Sequence, residues 1–238
     1  MSDPTRPTLA LTLGLTWVAW ASPAAAVQLV QAQPGTVTRM AEWAIASGDN
    51  GGRPFAIIDK AAAKVFVFRA DGHLLSKAPV LIGSARGDSS TPGAGDREMS
   101  AIPLRNRTTP AGRFVASYGP ARGTQRVLWI DYATAIALHP VVTAHPEERR
   151  LQRLRSTTPR DNHITHGCVN VSAEFYKKVV RPTFVHGGIV YILPEKTPIE
   201  EVFPTFMAAT VAATGQRSEA DAVSSQAGSA TSDAALSK

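Results

Sequence analysis

The densest chemistry in this chain lies in a six-residue segment, Thr165-His166-Gly167-Cys168-Val169-Asn170, which contains the protein's one cysteine. The thiolate, and not the thiol, is the nucleophile, so a reactive Cys168 needs a neighbour that takes its proton. Gly167 lets the backbone turn sharply or approach another group closely just before the sulfur, and His166 sets an imidazole two residues away. A helix start expected immediately after the segment would bring the positive end of a helix dipole to the sulfur and lower its pKa. For the base the sequence offers His139, at the end of the apolar run Ala135-Ile136-Ala137-Leu138. His145 opens a charged helical stretch and His163 falls in a loop; they are the other contenders. Two further readings use the same residues. A lone cysteine is often an inert buried side chain. His163-x-x-His166-x-Cys168 also has the spacing of three metal ligands, but a metal site needs a fourth group and a second shell, so no metal and no cofactor is assigned.

The elements that must carry these side chains are mostly strands. Residues 55–59 and 64–69 (KVFVFR) are β-branched and aromatic, and Ala70-Asp71-Gly72 turns the chain into a further strand over 73–82. Residues 83–110 are rich in Gly, Pro and Ser and long for a plain connector, which marks a functional or mobile loop. Strands resume over 112–118, 126–131 and 134–139, and 188–193 (GIVYIL) reads as a closing buried strand. Helices are few. A short one is expected over 40–46, and Leu151 and Leu154 space a second, exposed one over 147–155. A third follows Ser172 as N-cap, with Phe175, Tyr176, Val179 and Val180 as its apolar stripe and Pro182 as its stop.

On these residues the chain resembles the L,D-transpeptidase catalytic domain family of bacterial cell-wall enzymes. Residues 165–170 resemble its [Ser/Thr]-His-Gly-Cys-apolar-[Arg/Asn] signature, Thr109-Pro110-Ala111-Gly112-Arg113-Phe114 its Thr-Pro-x-Gly-x-[Phe/Tyr] element, and residues 55–72 its opening hairpin ending in Asp-Gly. The resemblance implies a mainly β, β-sandwich-like fold with a few short helices over residues 53–196. It implies that Cys168 attacks the carbonyl of the third residue of a peptidoglycan tetrapeptide stem, expels the terminal D-Ala and passes the acyl group to an amine, with His139 as base. Backbone N–H groups around His166 to Cys168 would hold the oxyanion, Thr165 and Asn170 would shape the pocket, and Thr109, Arg113 and His163 are candidate substrate contacts. The chain departs from the family in two places. Twenty-five residues separate His139 from Thr165, more than is usual there, and Pro140 stands where Gly is common. Water as acceptor would make the protein an L,D-carboxypeptidase, and a non-catalytic peptidoglycan-binding module is the reading from another class. The serine route is set aside, since Ser-x-x-Lys, Lys-Thr-Gly and Gly-x-Ser-x-Gly are all absent.

Composition bounds the rest. The 238 residues are 44% hydrophobic and 18% charged, enough for one domain with a real core and too apolar for a disordered chain. A single cysteine excludes an intrachain disulfide. Residues 9–21 (LALTLGLTWVAWA) follow Arg6 and precede Ala24-Ala25-Ala26, the pattern of a signal peptide over 1–26, too short for a spanning helix. That predicts export to the periplasm or the cell-wall side of the membrane, where an unpaired thiol is a liability unless buried or used. Residues 27–52 form an N-terminal segment, and 207–238, rich in Ala, Ser, Thr and Gly, read as a disordered tail. Net charge is +6, and residues 97–160 hold eleven arginines against four acids. Such a stretch suits an anionic wall polymer or membrane surface. Nucleic acid is excluded for want of any recognition motif around the arginines.

Overall fold

The computed structural model describes residues 35–90, 102–121 and 125–209. The signal segment, residues 210–238 of the tail and part of the 83–110 loop lie outside the described residues.

Among the described residues there are ten strands: β1 (Phe55–Asp59), β2 (Lys64–Phe68), β3 (Leu74–Pro79), β4 (Ile82–Gly83), β5 (Gly112–Pro120), β6 (Arg126–Asp131), β7 (Ile136–Pro140), β8 (His163–Thr165), β9 (Val169–Val171) and β10 (Gly188–Leu193). Eight of them run in the order β3-β2-β1-β10-β5-β6-β7-β9, and β4 pairs with β8. The nine-residue β5 joins two halves: its first part, to Ala116, pairs with β10, and its second, from Ser117, pairs with β6. The sheet curls so far that its two ends nearly meet, where Leu81, just past β3, exchanges both backbone hydrogen bonds with Asn170 of β9 at 2.8 Å. The fold is mainly β with few short helices, as the resemblance implied.

Strand alternation decides what lies inside. Ala56, Ile58, Val65, Val67, Leu128, Leu138, Val169, Val171, Val190 and Ile192 point into one core within the curl. Each fully buried aliphatic side chain of this kind contributes roughly 2 kcal/mol of transfer free energy. The alternate residues of β1, β2 and β10, among them Phe55, Ile57, Phe68 and Tyr191, build a second core on the outer face. Helix α1 (Thr36–Ala46) covers it with Met40 and Ala44, together with Phe203 and Phe206 near the C-terminal end. The packed body is therefore wider than residues 53–196, and Met207, inside the stretch read as tail, packs against this second core.

Ser172 caps the third expected helix through the Phe175 N–H at 3.1 Å, and Tyr176 and Val180 are buried in the inner core. Pro182 does not stop it. The α-turn Ala173–Phe175 widens into a π turn over Tyr176–Val180, and a new α-turn, Arg181–Thr183, begins with the proline in its first turn, where the missing N–H costs nothing.

Candidate active site

The site stands on β7 and β9, which pair in parallel with Leu138 beside Val169 and His139 beside Asn170. Leu138 and Val169 point into the inner core, so alternation turns His139, Asn170 and the preceding Cys168 to the outer face together. Thirty-one positions of sequence separate His139 from Asn170, and the register removes that distance.

The loop between β8 and β9 is held from both sides. Thr165 Oγ1 donates to the Cys168 carbonyl at 2.6 Å and accepts the Gly167 N–H at 3.1 Å. Thr109 Oγ1 donates to the Gly167 carbonyl at 2.8 Å and accepts the Gly83 N–H at 2.9 Å. Gly167 is required here: its φ is +125°, and a Cβ would stand 2.7 Å from both the Thr108 carbonyl oxygen and Ile136 Cδ1. The Gly167 N–H, one of the expected oxyanion donors, is spent inside the loop on Thr165.

Cys168 Sγ donates to the Ala135 carbonyl at 3.5 Å, and Ala135 itself sits at φ +55°. Burial pushes the Cys168 thiol up, against a backbone hydrogen bond from Ala137 and the Arg150 cation, which pull it down. The expected lowering by a helix start is overturned: strand β9 follows the cysteine, and helical backbone begins only at Ala173. A strand has no comparable dipole.

His139 Nδ1 faces the Pro140 carbonyl at 2.8 Å, and Nε2 faces Asn170 Nδ2 at 3.0 Å. A carbonyl only accepts and an amide NH2 only donates, so Nδ1 carries the proton and Nε2 the lone pair. Burial lowers the His139 pKa, the Pro140 hydrogen bond opposes it, and Arg150 lowers it further. Cys168 thus rests as a thiol bonded to the Ala135 carbonyl, and His139 as a neutral imidazole whose free-base Nε2 faces Asn170.

The remaining sequence candidates separate into groups. His166 lies in the field of Arg107, Arg150 and Glu148, with burial holding its pKa low. His145 is exposed and bonded to Glu147 at 3.2 Å, away from Cys168 and Asn170 in the pairing of the sheet. His163 is no open loop residue: it starts β8, bonds the Gly83 carbonyl at 2.9 Å and sits 4.0 Å from Glu195. Thr109, expected as a substrate contact, is buried, and its hydroxyl is taken up in holding the Gly167 carbonyl. Arg113 is drawn away altogether. It pairs with Asp49 at 2.7 Å, beside Tyr191 of the second core.

Two groups that shape the site were not singled out from sequence. Arg150 donates through Nη1 to Asn170 Oδ1 at 3.0 Å and through Nε to Glu148 at 2.5 Å. Lys60 donates to the Gly87 and Thr109 carbonyls and to Asp88, at 2.6–2.8 Å. The only signal for Arg150 was its place in the long spacer; for Lys60 there was none, since a lysine after a strand reads as surface.

No protein-family model matches this chain, and no curated protein does. Solved structures similar to it include the L,D-transpeptidase from Xylanimonas cellulosilytica, with 17% identity, a TM-score of 0.36, and 59% of this chain and 60% of that one covered. Another is LD transpeptidase LdtMt1 in complex with imipenem, with 14% identity, a TM-score of 0.33 and 58% of each chain covered. The chain spans about three fifths of the length of these structures, both of them described as L,D-transpeptidases.

Proposed function

We propose that this chain is a cysteine acyltransferase of the cell wall, an L,D-transpeptidase acting on peptidoglycan stem peptides. The observation that carries the reading is the β7–β9 register, which sets a free-base His139 and the Cys168 thiol on one outer face. In the first half-reaction the Cys168 sulfur bonds the carbonyl carbon of the third stem residue and the C–N bond to the terminal D-Ala breaks. The thiol proton moves to His139 Nε2, which exchanges its Asn170 donor for it, and from there to the departing D-Ala amine. In the second half an amine attacks the thioester, gives its proton to His139, and the C–S bond breaks to restore the thiol. Water in place of the amine yields a shortened tripeptide by the same steps. Arg107 beside His166 gives the cleft a positive charge suited to an anionic stem. Export to the periplasm or wall side belongs to the same proposal and rests on residues 1–26.

The test is mass spectrometry of purified tetrapeptide muropeptides after incubation with the protein. The wild type is expected to give a cross-linked dimer or a tripeptide, and Cys168→Ala neither, with its thermal melt unchanged. Product from Cys168→Ala, or none from the wild type, overturns the proposal. Imipenem, the ligand in the LdtMt1 structure, is expected to add its mass to the wild type and not to Cys168→Ala.

A further inference from the structure

The spacer between His139 and Thr165 places one side chain in the site. A 3-10 turn, Pro146–Glu148, leads through Arg149 at φ +50° into the short helix α2 (Arg150–Leu154). Left-handed backbone costs a non-glycine residue about 1 kcal/mol or more, so the turn is held there by its surroundings. Its result is that Arg150, with a side chain only 12% exposed, bridges Glu148 two residues back and Asn170 twenty residues on.

A guanidinium has five donors and no acceptor. The amide atom facing Arg150 must therefore be Oδ1, and Nδ2 must face His139. At the far end the Pro140 carbonyl has no donor, so it requires a proton on His139 Nδ1. Donation thus runs outward from Arg150, one way to Glu148 and the other through Asn170 and His139 to the Pro140 carbonyl, and each link of the second arm has only one possible direction. Without Arg150 the buried Asn170 amide is free to turn over and offer Oδ1 to Nε2, which favours a protonated ring.

We infer that Arg150 is a positioning residue: its planar fork clamps Asn170 so that the amide N–H faces His139 and keeps Nε2 the unprotonated nitrogen. The charged and titratable groups around this ring are Cys168 on its own face, Arg150 of α2, Glu148 of the 3-10 turn and, beyond Arg150, His166. The Arg150 charge lowers both His139 and Cys168, and so acts in the same direction on the two partners. The meaning of His139 as a base rests on the acyl-transfer reading above; the clamp itself does not.

The experiment compares wild type, Arg150→Met and Arg150→Lys by three readouts: ring nitrogen NMR of His139 against pH, the rate of Cys168 alkylation against pH, and acyl transfer. In Arg150→Met both midpoints move up and kcat falls about tenfold with KM within about twofold, the cost of a misdirected base. Arg150→Lys keeps the cation but lacks the fork, so the alkylation midpoint stays near wild type while the His139 midpoint still rises. Unmoved midpoints in a folded Arg150→Met overturn the clamp. Should that variant not fold, Arg150→Lys decides, and an unmoved His139 midpoint overturns it. If the wild type transfers no acyl group while the midpoints move as stated, the proposed function falls and the clamp stands. If transfer occurs and the midpoints do not move, the clamp falls alone.

Discussion

Two charged networks flank the loop from Thr165 to Cys168, and they hold different kinds of group. Lys60 and Asp88, with side chains 1% and 4% exposed, form an ion pair at 2.6 Å. The lysine also binds the Gly87 and Thr109 carbonyls, and the carboxylate accepts the N–H groups of Glu195, Lys196 and Thr197. Three acceptors around one nitrogen require an ammonium, so the pair is ionised although burial pushes the lysine down. This network ends on main chain, and through Thr109 it sets where Gly167 and the thiol stand. The Arg150 network is more open, and it runs through the ring of His139. Similar charges therefore do different work. On the proposals above, one fixes the position of the sulfur and its loss is expected as lost stability; the other fixes the proton state of His139 and its loss is expected as altered reactivity.

That contrast can be broken experimentally. The largest effect is expected from Lys60→Met, which leaves Asp88 and two carbonyls buried without their partner and costs about 3–5 kcal/mol in urea unfolding. A stable Lys60→Met protein with an altered pH profile of alkylation would erase the distinction. Next comes Thr109→Val, of nearly equal volume but without the hydroxyl. It strands the Gly167 carbonyl and the Gly83 N–H, for about 2–3 kcal/mol and a lower kcat, read from melts and from transfer assays. Loss of kcat with no loss of stability would place Thr109 in the chemistry instead. The smallest effect is the acid response of Asp88, whose pKa is lowered to about 2 by the Lys60 ammonium and the backbone donors, against the cost of burial. A carboxylate depressed in the folded state adds stability that is present above its unfolded value near pH 4 and is lost as pH falls toward 2. The loss is about 2 kcal/mol, and urea melts between pH 5 and pH 2 should show it; a flat profile would show that the pair contributes nothing net.

Much of the site was legible because its signals are local. The thiol, its glycine and its threonine sit within four residues, and the Ser172 cap and the apolar stripe of the helix after it need only short-range spacing. Legibility failed where a role depends on what packs across the sheet. Arg113 belongs to a matching Thr-Pro element, yet its strand alternation turns it to the second core and Asp49. His163 reads as loop until β8 pairs with β4. The helix dipole assigned to Cys168 failed because β9 intervenes, and a three-residue strand is too short to announce itself by periodicity.

By itself the sequence determined the strand-rich fold class, the place of the one thiol and the requirement for glycine before it. These follow from side-chain branching, thiol chemistry and backbone sterics, which act over a few residues. Only the tertiary structure decided that β7 and β9 run side by side, that the thiol is raised by burial, and that an arginine in an unpromising spacer bonds the amide beside His139. Burial and hydrogen-bond direction are properties of an environment assembled from distant segments, and no residue's own spacing contains them.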